Sequence, residues 1–185
     1  MDFIMIGTRI RQVKKEIRVL GIAVKPSIRE EQFYAVGVVF RGGLWLDGVM
    51  KTTAQGPDIT DKLAEMITES THHPQIRVIL LHEALIEGEA TVDPFRLSTG
   101  TTKPVIVVSS GGKHPKVVQA SGELAVFRFT YERGDESIDA LSIGLRSSDA
   151  TRILEMSARE GVMPEALRVA SLIVSAEAAG FKQNI

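Results

Sequence analysis

Two short, uninterrupted apolar runs constrain this chain most: IRVILLH at 76–82 and PVIVVS at 104–109. A strand with one face in water alternates apolar and polar residues. A strand that is apolar at every position is covered on both faces, which places it at the centre of a sheet flanked by helices. A helical pattern precedes the first run. A strand, a helix and a strand in succession imply a crossover and therefore parallel pairing.

The segments before these runs read differently. Residues 17–24 (IRVLGIAV), 33–40 (FYAVGVVF) and 44–51 (LWLDGVMK) are three strands rich in β-branched residues. Arg41-Gly42-Gly43 separates the last two. Glycines supply the positive φ of a tight hairpin, so this pair is antiparallel and the first half is a three-stranded meander. A helix follows, with Asp58 or Thr60 as N-cap and Ile59, Leu63, Met66 and Ile67 on one stripe. Residues 123–130 (ELAVFRFT) alternate like an edge strand. The last fifty residues read as helical: one helix from Ser148 to Glu160 stopped by Gly161, and one from about Glu165 to Ala179 behind Pro164. The second has a wide apolar face that the sheet or a second copy of the chain must cover. The sheet is favoured, and a homodimer is the other solution. This order describes an α/β fold: a mixed sheet, antiparallel meander plus parallel strands, with flanking helices, as in the ribonuclease H-like fold.

Composition narrows the function classes. The 185 residues suit one domain spanning 1–185, with a basic segment at 1–16. With no cysteine, disulfide frameworks, thiol nucleophiles and Cys-based metal sites are excluded, and a cytoplasmic setting is expected. Lys plus Arg is 22 against 23 for Asp plus Glu, a net charge of -1, so nucleic acid would be bound through a local patch only. Asp2 stands where a signal peptide carries positive charge, and the apolar stretch 166–180 contains Arg168 and Glu177, so no membrane association is expected.

Two longer blocks carry a resemblance. FRGGLWLDGVMKTT at 40–53, preceded by VGVV and followed by DKLAEMI, and MPEALRVASLIVSAEAAG at 163–180, together with KEIRVLGI near the start, resemble the mainly archaeal endonuclease dU family. That family is similar to endonuclease V and has the ribonuclease H-like fold. The resemblance implies phosphodiester cleavage of damaged or deaminated DNA with Mg²⁺ or Mn²⁺, held by hard oxygen ligands at strand ends. In the family the first strand ends in Gly-Ile-Asp-Asp; here it reads Gly21-Ile22-Ala23-Val24. The fourth ends in Leu-Asp-Gly; here it reads Leu81-His82-Glu83. Ala23, Val24 and His82 thus occupy the acidic positions. Glu83 is one residue along and turned to the opposite face. Asp47 and Asp93 remain as further metal candidates beside His82 and Glu83.

Other candidates follow from the residues themselves. His82 ends a presumed parallel strand, where α/β folds place ligands, and is a candidate base or metal ligand against a plain backbone hydrogen bond. The loop Ser109-Ser110-Gly111-Gly112-Lys113 can cradle a phosphate, although it is no Walker loop. Arg41, Lys51, Ser110 and Lys113 are the nucleic-acid-binding candidates. The run Arg9, Arg11, Lys14, Lys15 and Arg18 reads as a solvated segment, and Trp45 reads as core because no second aromatic is spaced with it. His72-His73 adjoins Pro74 and lacks accompanying ligands. Three functions remain: a nucleic-acid-binding family member without its metal-holding acids; an active nuclease with a re-sited metal centre at Asp47, His82, Glu83 and Asp93; and a protein-interaction module.

Overall fold

The computed structural model describes residues 13–28, 30–87, 91–116 and 124–180. Its strands are β1 (Arg18–Pro26), β2 (Phe33–Arg41), β3 (Trp45–Ala54), β4 (Val78–His82), β5 (Val105–Ser109), β6 (Val126–Arg133) and β7 (Glu136–Ile143). The helices are α1 (Ile59–Glu69), α2 (Ala84–Glu87), α3 (Pro94–Thr101), α4 (Ser147–Ser157) and α5 (Glu165–Ala178). The strands form one seven-stranded sheet in the order β3-β2-β1-β4-β5-β7-β6.

The meander is antiparallel throughout. The two apolar runs become β4 and β5, parallel to each other and, through β4, to β1. They lie in the middle of the sheet, and Val78 to Leu81 and Val105 to Val108 are fully buried. Their side chains divide between two cores. Val19, Leu80, Ile106 and Ala140 face α4 and α5, whereas Leu20, Ile79, Leu81, Val107 and Leu141 face α1 and α3.

Three parts differ from expectation. Residues 136–143 form β7, not helix. Gly134, at φ +61°, and Asp135 connect the paired residues Arg133 and Glu136, which is a two-residue hairpin that the Gly-Asp pair signals. The hairpin adds two strands to the sheet, and β7 pairs antiparallel with β5. Helices α2 and α3 were not anticipated; α3 begins with Pro94 behind Asp93, a proline-first start that a purely apolar reading passes over. Helix α4 spans Ser147–Ser157 behind Arg146 and stops three residues short of Glu160, because Ala158 is already extended at φ -89° and ψ 129°.

The wide apolar face of α5 is covered by the sheet: Ala166, Leu167, Ala170 and Val174 are buried over β1 and β2. Gly21 lets the helix approach so closely. A methyl there would stand 2.5 Å from the Ala166 carbonyl oxygen and 2.6 Å from the Leu167 amide nitrogen.

Candidate functional site

Strands β1 and β4 pair in the register Val19↔Val78, Leu20↔Ile79, Gly21↔Leu80. Two further steps along that register bring Ala23 beside His82. Ala23 packs on the α5 side and Val24 on the α1 side; His82 follows Leu80 onto the α5 side by alternation, and Glu83 lies in the turn past β4. The row continues outward. Ala23 pairs with Val36, which pairs with Lys51; His82 pairs with Val108, which pairs with Ala140. Lys51 therefore shares a face with His82 but is three strands away, roughly 14 Å at the usual strand spacing. Its ammonium meets Glu177 at the end of α5, 3.2 Å away.

His82 is held from both ring nitrogens. Nδ1 lies 3.2 Å from the Ala84 amide and can only accept from it; Nε2 lies 2.9 Å from Ser110 Oγ. With Nδ1 accepting, the neutral ring carries its hydrogen on Nε2 and donates to Ser110. In this arrangement His82 cannot take the Ser110 proton, so no serine nucleophile is activated here. The Ser110 hydroxyl is left to donate outward. Gly111, Gly112 (φ +66°) and Lys113 continue the exposed loop. Glu83 reaches the back of it: a methyl on Gly111 would be 3.8 Å from Glu83 Oε1.

The antiparallel β7 brings a carboxylate to this edge that sequence reasoning missed. Asp139 pairs with Ser109 at the end of β5, accepts from Thr130 Oγ1 at 2.7 Å and lies 3.7 Å from His114 Nδ1. The Gly134-Asp135 turn was the signal that would have found it.

The remaining metal candidates are elsewhere. Asp47 sits in the β-bulge of β3 and binds Arg18 Nε at 2.7 Å, with Arg41 Nη2 at 3.5 Å. Arg18 begins β1 and Ala23 approaches its far end, so Asp47 and His82 are at opposite ends of the sheet, roughly 16 Å apart along the strands. Asp93 caps α3, its Oδ1 accepting from the Phe95 and Arg96 amides at 2.9 and 3.1 Å. Among the described residues no group of three or more His, Asp or Glu could hold a metal ion. Mg²⁺ wants about six oxygens near 2.1 Å. Ala23 and Val24 offer none, and the described residues at this edge do not gather a set that fits such an ion.

The capping role has a direct check. Asp93→Ala should lower the unfolding free energy by about 1 kcal/mol, the usual value of an N-cap. Addition of Mg²⁺ or Mn²⁺ should leave the stability of the wild type and the variant equally unaffected; a metal-dependent difference in urea midpoints would make Asp93 a ligand.

His73 Nε2 bonds the Thr101 carbonyl at 2.8 Å, and the His72 ring packs on Gly48, so that pair ties the end of α1 to its neighbours. Arg9 and Arg11 lie outside the described residues; Lys14 and Lys15 are exposed. Trp45 is not core: it is 61% exposed as the first residue of β3 beside the hairpin turn, where its partner Arg41 is the last residue of β2. No described helix is long and apolar enough to cross a membrane.

The comparisons agree with this architecture. The family model described as endonuclease dU matches residues 15–178. A UPF0215 protein of Methanothermobacter thermautotrophicus is 38% identical over 192 residues, covering 94% of this chain and 93% of that one. Among solved structures, a protein of unknown function from Archaeoglobus fulgidus is 29% identical with a TM-score of 0.69, covering 86% of this chain and 97% of that one. Ciona intestinalis endonuclease V, solved with DNA containing an inosine followed by a ribo-adenosine, has a TM-score of 0.61 at 13% identity, covering 89% and 87%. The mixed sheet is thus the ribonuclease H-like fold expected from the order of elements.

Proposed function

This chain belongs to the endonuclease dU family, and from that premise we propose that it is a nucleic-acid-binding member whose strand-end edge holds phosphate through hydrogen-bond donors, where the resemblance implies metal-holding acids. The observation that carries the reading is the tethering of His82 at the end of β4: the imidazole is committed to the Ala84 amide and Ser110, and the β1–β4 register, carried two steps past its last pair, sets Ala23 next to it. What this edge presents outward is the Ser110 hydroxyl and the Lys113 ammonium on an exposed glycine loop, whose Gly111 amide is turned to Ser109 Oγ, 3.5 Å away. A phosphate diester needs such a set: charge-assisted donors without the desolvation of a bare carboxylate. The DNA in the Ciona intestinalis endonuclease V structure supports nucleic acid as the ligand class. Asp139 and Glu83 are close enough to disfavour a second phosphate, so the reading is of one contact at this edge.

The test is binding and cleavage with the same oligonucleotides: single- and double-stranded DNA containing deoxyuridine or deoxyinosine, and RNA. Fluorescence anisotropy in EDTA should show binding that weakens as salt rises. Ser110→Ala with Lys113→Gln should flatten the logarithmic salt slope by about 0.7–0.9, the value of one lost phosphate contact. Absence of binding to every oligonucleotide sinks the reading. So does Mg²⁺- or Mn²⁺-dependent cleavage abolished by His82→Ala, which would give His82 a part in a metal-dependent reaction.

A further inference from the structure

We infer a second ligand site, distinct from the strand-end edge: a cleft of about 950 Å³ between the β2–β3 hairpin, the end of α4 and β6, built to take one nucleotide unit, a planar base with its phosphate. The volume is that of a small-molecule pocket. Lys15, Arg41, Arg133 and Arg159 line it, with Trp45 and Tyr131.

The walls are fixed. The Gly42 amide donates to the Ile17 carbonyl at 2.8 Å. A methyl on Gly42 would be 2.5 Å from the Lys15 carbonyl oxygen, and one on Gly43 would be 3.2 Å from that of Ser157. The hairpin tip is therefore seated against both the N-terminal segment and the end of α4. On the other wall, Arg133 Nη1 donates to the carbonyls of Ala158 and Gly161 at 3.2 Å each. Trp45 is exposed on an anchored hairpin, not on a loose loop.

The chemistry of the lining selects the ligand class. An indole 61% exposed beside cations offers a flat face to a base, with guanidinium groups placed for its phosphate. Arg41 is under-used as it stands. Its Nε is buried without a hydrogen-bond partner among the described residues, and its Nη2 lies 3.5 Å from the Asp47 carboxylate. Lys15 and Arg159 make no ion pair among the described residues. Burial pushes the Tyr131 hydroxyl above its ordinary value, so that wall stays neutral at physiological pH. Glu16, Glu132 and Glu155 also line the cleft. They offset three of the four cations, which favours a single phosphate over a long polyanion track. The site does not require the strand-end reading, although an oligonucleotide could engage both.

Trp45 is the single tryptophan, so fluorescence excited at the indole, beyond the absorption of the tyrosines, reports on this cleft. The full chain is titrated with a nucleoside monophosphate, inorganic phosphate, a single-stranded 12-mer and an abasic 12-mer, with anisotropy of the labelled 12-mers measured in parallel. Base-bearing ligands should quench Trp45. Quenching by the monophosphate identifies a free nucleotide as sufficient, and quenching by the 12-mer alone identifies a strand. Trp45→Leu should weaken base-bearing ligands by roughly tenfold or more, within the range for one stacked base. Arg159→Gln, in the exposed bend that follows α4, should weaken both 12-mers without loss of fold. Equal quenching by base-bearing and abasic strands overturns the inference. A fluorescence change with protein concentration alone overturns it too, since a second copy would then cover the hairpin. Anisotropy that rises while Trp45 stays silent overturns this site and leaves the strand-end reading standing. No response in either readout overturns this site.

Discussion

Replacing Gly21 with alanine is expected to cost about 3 kcal/mol of unfolding free energy, the upper end of what overpacking a core costs. The reason is the kind of atom the new methyl meets. At most core positions an added carbon strikes a side chain, which rotates away. At Gly21 it strikes the backbone of α5, 2.5 Å from the Ala166 carbonyl oxygen and 2.6 Å from the Leu167 amide nitrogen. Backbone within a helix has no rotamer to change, so α5 must lift from β1 and β2. The burial of Ala166, Leu167, Ala170 and Val174 loosens together. Domains of this kind have about 5–15 kcal/mol in total, so the variant should unfold at markedly lower urea with an unchanged slope. A cost below about 1 kcal/mol would mean that the helix accommodates the methyl at no more than a typical surface price. Because β1 also positions Ala23 beside His82, the variant should weaken nucleotide-independent order at the strand-end edge as well, visible as faster amide exchange at Ala84.

The same residues explain how much of this molecule was legible beforehand. Periodicity reports burial, and burial was clear wherever both faces are covered: the runs at 78–81 and 105–108 could be nothing but centre strands, and their parallel pairing followed. It was ambiguous where one face is half covered. In β7, Ile138, Ala140, Leu141 and Ile143 are buried on alternating and then adjacent positions, a spacing that a helix also satisfies. Only the Gly134-Asp135 turn distinguished the two. The site was harder because a side chain's chemistry does not disclose its partner. Asp93 as a sequence letter is a ligand or a cap; Pro94 and the amides of Phe95 and Arg96 make it a cap. Asp47 lies in the third strand, near in sequence to the meander, yet the antiparallel turn carries it to the end remote from His82. Trp45 reads as core in the sequence because no second aromatic is spaced with it. Its exposure comes from its place beside the hairpin turn, and no local pattern encodes what packs against that turn.

The neighbouring placement of Ala23 and His82 makes the reconstruction of a metal site the sharpest remaining test. Ala23→Asp with His82→Asp puts two carboxylates on one face of adjacent strands, about 4.8 Å apart between backbones, where their oxygens can converge on one ion. Either substitution alone supplies one carboxylate, which gains only a screened contact, so the single variants should show almost no metal response. In chelator the double variant should melt lower than the wild type. Ala23 packs against the α5-side core, and two like charges placed together there repel, which raises one carboxylate's pKa. Loss of His82 also leaves the Ala84 amide without its acceptor. Metal should reverse part of that cost. An ion present at one hundred times its dissociation constant stabilises the folded state by about 2.7 kcal/mol. For a chain of this length that is a rise of roughly 5–10 °C in melting temperature on adding Mg²⁺ or Mn²⁺. The effect must be non-additive, because the ion needs both carboxylates at once. Equal melting temperatures with and without metal would mean that the two positions do not converge. The register between β1 and β4 would then fail at its last two steps, and Ala23 and His82 could no longer be taken as the places where the family's acids would stand.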